Sequence, residues 1–108
     1  MTDEAAITQE RVNDVAVVTV RGEIDVASAP ELRSLLHELC TADTPFVTVD
    51  LRAVTFLDSS ALGVLVGALG RCRENKAEFR LVIDSPRLLK IFDLTGLTSV
   101  FDISETLE

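Results

Sequence analysis

Residues Val15-Ala-Val-Val-Thr-Val20 are apolar or β-branched on both alternating sets of positions. A strand that shows water one face alternates apolar with polar; this pattern asks for cover on both faces. The segment therefore belongs inside a sheet with other elements packed over it. A chain of 108 residues, 47% of them hydrophobic, has material for one such core and one domain.

The rest of the chain supplies the covering elements in alternation. A weaker strand around Ala6 to Val12 precedes the Val15 strand and pairs with it through a turn at Asn13-Asp14. Ser28 and Glu31 have capping-box spacing, Pro30 suits a first helical turn, and Leu32, Leu35, Leu36 and Leu39 form one apolar stripe. Phe46-Val-Thr-Val-Asp-Leu51 reads as the next strand. A second helix runs from about Ser59 to Glu74, with Asp58 as N-cap and Leu57 placed to staple onto Leu62. Phe79 to Ile83 reads as a strand. A short helix starts at Ser85-Pro86 and is ended by Gly96, and Ser99 to Ile103 reads as a last strand. The order β-β-α-β-α-β-α-β predicts an α/β fold: a mixed sheet packed against helices. Met1 to Ala5 is expected to be a flexible tail.

Charge removes whole classes of partner. With 18 acidic against 10 basic side chains the net charge is −8, and no Lys/Arg run tracks a phosphate backbone. Nucleic acid and anionic membrane do not fit. The first ten residues are acidic and polar, unlike a signal peptide, and the longest apolar run, Ala61 to Gly70, falls short of a membrane span. The chain reads as soluble and cytoplasmic.

The polar residues that matter are those that topology brings together. If the Val15, Phe46 and Phe79 strands are parallel, the loops leaving their carboxyl ends share one edge, where open α/β sheets usually meet ligands and partners. Two of those loops, Gly22 to Ser28 and Thr55 to Ser60, carry Glu23, Asp25, Ser28, Asp58, Ser59 and Ser60 toward one surface. Ser59 and Ser60 fall in the first turn of the second helix, whose free N–H groups favour an anion. A phosphate on either hydroxyl would add about −1.5 to −2 charges there, against repulsion from Asp58 and Asp25. Those carboxylates are also hard oxygen donors of the kind a kinase's Mg²⁺ accepts. Taken alone, Asp58-Ser59-Ser60 is most simply a helix cap.

Other features read as structural. Gly63, Gly67 and Gly70 share one helix face, and each costs about 0.8–1 kcal/mol of helix propensity against Ala, so a close approach to the sheet or to a neighbouring helix is expected there. His37 lies opposite the leucine stripe, in solvent. Cys40 and Cys72 end different helices without metal-ligand spacing and read as core-edge residues, not a redox pair. No cofactor or metal is called for. Catalysis fits poorly: no Gly-Lys-Ser/Thr phosphate loop is present, Ser59 has no histidine base nearby or nucleophile-elbow glycines, and a phospho-receiver domain would need an acidic pair and a late lysine that are missing.

Gly22-Glu-Ile-Asp25 after a buried strand resembles the Gly-Glu-Leu/Ile-Asp loop of STAS domains. Val49-Asp-Leu-Arg-Ala-Val-Thr-Phe-Leu-Asp-Ser-Ser-Ala-Leu-Gly-Val64 closely resembles the signature of bacterial anti-sigma factor antagonists, and Ile91-Phe-Asp-Leu-Thr-Gly-Leu97 is similar to a later segment of that family. The resemblance spans roughly Ala6 to Ile103 and implies a STAS domain over residues 6–108, with the family's C-terminal helix short or absent.

What the resemblance implies is partner switching, not enzymatic activity. The phosphorylated serine maps to Ser59, and Glu23, Asp25, Asp58, Ser59, Ser60 and Ala61 map to the partner surface. The unphosphorylated form would bind an anti-sigma factor that is also a serine kinase, releasing a sigma factor for transcription in response to stress. Phosphorylation would abolish that binding, and a PP2C-type phosphatase would restore it. Ala61 stands where the motif most often has Gly. The alternative is a non-switching STAS adaptor in a larger complex or lipid-transport assembly, with Ser59 only a cap.

Overall fold

The computed structural model describes residues 4–107. Among them the order is β1 (Ala6–Val12), β2 (Val15–Ile24), α1 (Ala29–Leu39), β3 (Phe46–Leu57), α2 (Ser59–Glu74), β4 (Glu78–Val82), α3 (Pro86–Leu94) and β5 (Asp102–Ser104). The strands form one sheet in sequence order, β1-β2-β3-β4-β5. β1 runs antiparallel to β2 through the tight turn at Asn13, whose φ of 57° is the left-handed conformation that Asn tolerates. Every later pairing is parallel, so the mixed α/β sheet forms as the alternating pattern requires.

One core holds the elements together. Val18 and Val20 of β2, Val47, Val49 and Leu51 of β3, and Phe79 and Leu81 of β4 join Leu32 and Leu36 of α1, Leu65 of α2, and Leu88 and Phe92 of α3 in a single cluster. The alternate β2 residues Val15, Val17 and Thr19 are only half-buried. The strand is thus fully covered on one face, where the residue pattern anticipated two. Phe92 meets Phe101 edge-on at 5.8 Å, which anchors α3 and the approach to β5.

Helix ends follow local chemistry, with one departure. Asp58 caps α2 by accepting from the Ala61 N–H at 3.0 Å, and Ser85 caps α3 by accepting from Leu88 at 3.3 Å. Gly96, at φ 74°, closes α3: its N–H reaches Asp93 O, and that of Leu97 reaches Phe92 O at 2.8 Å. The expected capping box at Ser28 and Glu31 does not form. Ser28 Oγ instead accepts from the Asp25 N–H at 3.0 Å, and Asp25 Oδ1 accepts from Ala27 at 2.9 Å. The loop's own turn has taken the hydroxyl that the helix would have used.

Near each end of the described residues the chain is held by the core or the sheet edge. Of the tail expected over residues 1–5, the first three lie outside the described residues, while Ala5 packs against the core. The last strand is only Asp102–Ser104, because Val100 and Phe101 are held in turns on the Leu97 carbonyl. Residues 105–107 form no helical turn, and the Leu107 carbonyl accepts from Arg80 at 2.7 Å.

Candidate functional site

The candidate site is built where β2 and β3 give way to helices. Both strands run further than their apolar cores suggested: Gly22–Ile24 belongs to β2 and Thr55–Leu57 to β3, paired as Gly22↔Val54, Glu23↔Phe56 and Ile24↔Leu57. Register shifts between Thr19 and Arg21 and between Gly22 and Glu23 allow this extension across residues that looked like loop. Gly22, at φ 82°, takes a backbone conformation open to glycine and costly for other residues. The connections that remain are short: Asp25 to Ser28 after β2, and Asp58 alone after β3.

That shortness fixes the serine. Asp58 is in extended conformation with φ −95° and ψ −177°, and Ser59 and Ser60 are the first two residues of α2. The Asp58 N–H donates to the Ile24 carbonyl at 3.1 Å, tying the start of α2 to the end of β2. Ser59 is exposed, while Ser60, Asp58 and Asp25 are half-buried and Glu23 is exposed. Ser60 also lines a shallow groove of about 690 Å³ with Val26, Pro30 and Val64, so the Asp25–Ser28 loop and the start of α2 share a surface. Ala61 differs from the other expected partner residues. Its side chain is wholly buried, and its part is the N–H that Asp58 accepts.

Two exposed apolar residues that sequence reasoning passed over lie in the segments that lead to this surface. Val26 is 71% exposed at the tip of the first loop, and Phe56 is 46% exposed beside Glu23. Scattered surface hydrophobics are ordinary, but Val26 lines the Ser60 groove and Phe56 lies three residues before Ser59 in the chain. The signal was present: Phe56 occupies the outward position between buried Val54 and Leu57 in a strand that runs to its cap.

The arrangement offers an anion-tolerant helix end, carboxylates and exposed apolar side chains. His37, the chain's one histidine, is exposed on α1, as its position opposite the leucines predicted. Among the described residues no group of three His, Cys, Asp or Glu is placed to hold a metal, and no helix is long and apolar enough to cross a membrane.

The three glycines of α2 do not mediate the close approach expected of them. A Cβ placed on Gly63, Gly67 or Gly70 meets nothing within 4 Å. They instead floor a groove of about 500 Å³ between α1 and α2, bordered by Arg33, His37, Ser60 and Arg71. Cys40 and Cys72 lie deeper than core-edge residues: both are 0% exposed.

Known proteins of the same architecture carry a consistent description. The chain is 39% identical over 92 residues to an anti-sigma-B factor antagonist of Bacillus subtilis, covering 85% of this chain and 83% of that one. It is 35% identical over 95 residues to an anti-sigma-B factor antagonist of Listeria monocytogenes, covering 88% and 83%. The crystal structure of an anti-sigma factor antagonist from Mycobacterium paratuberculosis superimposes with a TM-score of 0.87 at 31% identity, over 97% of this chain and 89% of that one. The family model described as STAS domain matches residues 6–108. With the sheet order, the serine-bearing helix start and these likenesses agreeing, the chain belongs to the STAS domain family.

Proposed function

We propose that this chain is an anti-sigma factor antagonist of the partner-switching kind. Its unphosphorylated form binds an anti-sigma factor in the cytoplasm and thereby frees a sigma factor for transcription. Phosphorylation of Ser59 ends that binding. The anti-sigma factor is itself the serine kinase, and a PP2C-type phosphatase resets the switch. Glu23, Asp25, Asp58, Ser59 and Ser60 form the polar part of the docking face, and Val26 and Phe56 its apolar part.

The observation that carries this reading is the placement of Ser59: an exposed hydroxyl on the first residue of α2, next to Asp58 on a surface shared with the Asp25 loop. The names borne by relatives of up to 39% identity support it. The helix end tolerates a phosphate, because its N–H groups and dipole favour negative charge. An interface laid over the same spot does not, since it would desolvate about two added charges beside existing carboxylates. Driving occupancy from 99:1 to 1:99 takes about 5.5 kcal/mol of differential binding, within reach of a buried and unpaired phosphate.

The test is a paired capture from host lysate with the wild-type chain and Ser59→Asp as baits. Capture of a kinase-type anti-sigma factor by the wild type, lost with Ser59→Asp, is the expected result. Equal capture by both baits would reduce Ser59 to a helix cap and remove the switch.

A further inference from the structure

At the far ends of the two helices that carry the serine surface, the chain's two cysteines meet. Cys40 is the C-cap of α1 and Cys72 lies in the last turn of α2. Both are free thiols, wholly buried in one core cluster, and each is the largest influence on the other's ionisation. Side chains of α2 brace this meeting point independently of the sulfurs. Asn75 Nδ2 donates to the Cys40 carbonyl at 3.2 Å and to the Arg71 carbonyl at 2.9 Å, and Arg71 Nε donates to the His37 carbonyl at 3.2 Å. A bond between the sulfurs would therefore close a contact that the fold already holds.

We propose that Cys40 and Cys72 are an intramolecular dithiol that a hydroperoxide oxidises to a disulfide, joining the C-terminal end of α1 to that of α2. The order follows their places in the fold: Cys72, held inside α2, is the attacking sulfur, and Cys40, on the α1 end that must open, is the resolving one.

The chemistry balances with the peroxide as the sole co-reactant. The Cys72 thiolate attacks one peroxide oxygen, the O–O bond breaks, and the leaving hydroxide takes a proton to become water. Cys72 is then a sulfenic acid. The Cys40 sulfur, giving up its proton, attacks the Cys72 sulfur, and the S–O bond breaks with release of a second water. Two thiols lose two electrons in all, and the peroxide gains them. Because both sulfurs are buried, reagent entry requires local opening of the final turn of α1, so oxidation is slower than that of a solvent-exposed thiol.

The experiment treats the reduced full-length chain with hydrogen peroxide, then denatures it, alkylates it and measures intact mass and cysteine-containing peptides. Loss of two hydrogens, loss of both alkylation sites, a linked Cys40–Cys72 peptide, a monomer on a non-reducing gel and reversal by dithiothreitol are expected together. Sulfinic or sulfonic acid without a crosslink, disulfide-linked dimers, or two thiols still fully alkylated after peroxide has exhausted free glutathione would each overturn the proposal. Single variants assign the roles, with circular dichroism confirming that each is folded. Cys40→Ala should accumulate a dimedone-trapped sulfenic acid on Cys72, and Cys72→Ala should leave Cys40 unlabelled; the reverse labelling would overturn the assigned order. The wild-type mass result stands even if a variant fails to fold.

Discussion

The amide of Asp58 donates to the carbonyl of Ile24 at 3.1 Å, while the Asp58 carboxylate accepts from Ala61 at 3.0 Å. One residue therefore joins the end of β2 to the start of α2 and caps the helix that presents Ser59. Asp58→Ala should lower stability by about 1 kcal/mol through loss of the cap. Asp58→Asn keeps an acceptor and should unfold close to the wild type in a urea titration. Equal losses for the two variants would show that the charge, not the cap, supplies the stability.

Phosphorylation of Ser59 should act on the docking surface and leave the fold in place. The added charge of about −1.5 to −2 meets the favourable end of the α2 dipole. Backbone amide shifts should change within residues 55–65 and 22–28 and hardly elsewhere. Shifts spread through β4 and α3 would indicate refolding and sink this mechanism.

Open space at Gly67 makes a stabilising substitution available. Nothing lies within 4 Å of a Cβ there, and the residue is inside an α-helix. Gly67→Ala should gain about 0.8–1 kcal/mol from helix propensity, read as a higher thermal midpoint. A lower midpoint would mean that the groove between α1 and α2 closes in solution.

Asp50, buried in β3, takes two hydrogen bonds from the Arg52 guanidinium, at 2.9 Å to each oxygen, and a third from the Arg52 amide at 3.1 Å. The Arg52 side chain, more than burial opposes it, holds the Asp50 carboxyl below its ordinary 3.8. A group whose folded pKa is depressed contributes stability above its unfolded pKa and loses it as pH falls through the folded one. Arg52→Met should therefore be less stable than wild type at neutral pH, with the gap narrowing as pH falls below 3.8. A gap independent of pH would assign the loss to packing by the arginine stem.

Lys76 follows the end of α2 with φ 60°, and the Ala77 N–H beyond it reaches the Cys72 carbonyl at 2.8 Å. A left-handed conformation costs an ordinary L-residue about 1–2 kcal/mol, and a β-branched residue is stiffer still. Lys76→Val should lower the urea midpoint while Lys76→Gly matches or exceeds the wild type. A neutral Lys76→Val would mean that the turn relaxes freely.

How far these features could be read in advance depended on how local their causes are. The start of α2 was legible because its Asp58 cap acts within a few residues. The end of β3 was not, since pairing of Phe56 and Leu57 with Glu23 and Ile24 decides it across the sheet. Ser28 satisfied the capping-box spacing, yet Asp25 competed for its hydroxyl within the loop. The serine surface followed from parallel strands and two short connections. Val26 and Phe56 escaped notice because apolar residues beside strands are ordinarily assigned to the core. The meeting of Cys40 with Cys72 required the helix packing itself.

Ser59 stands one residue beyond a strand and is already the first residue of a helix. An enzyme that reaches its hydroxyl cannot draw the flanking chain into an extended groove without unpairing β3 from β2 or unwinding α2. Under the proposed function, recognition would therefore be of a folded corner, assembled from two strands and a helix end. A short peptide copied from this stretch would carry the same residues without their shape, so a kinase specific for Ser59 would read tertiary structure, not a linear motif.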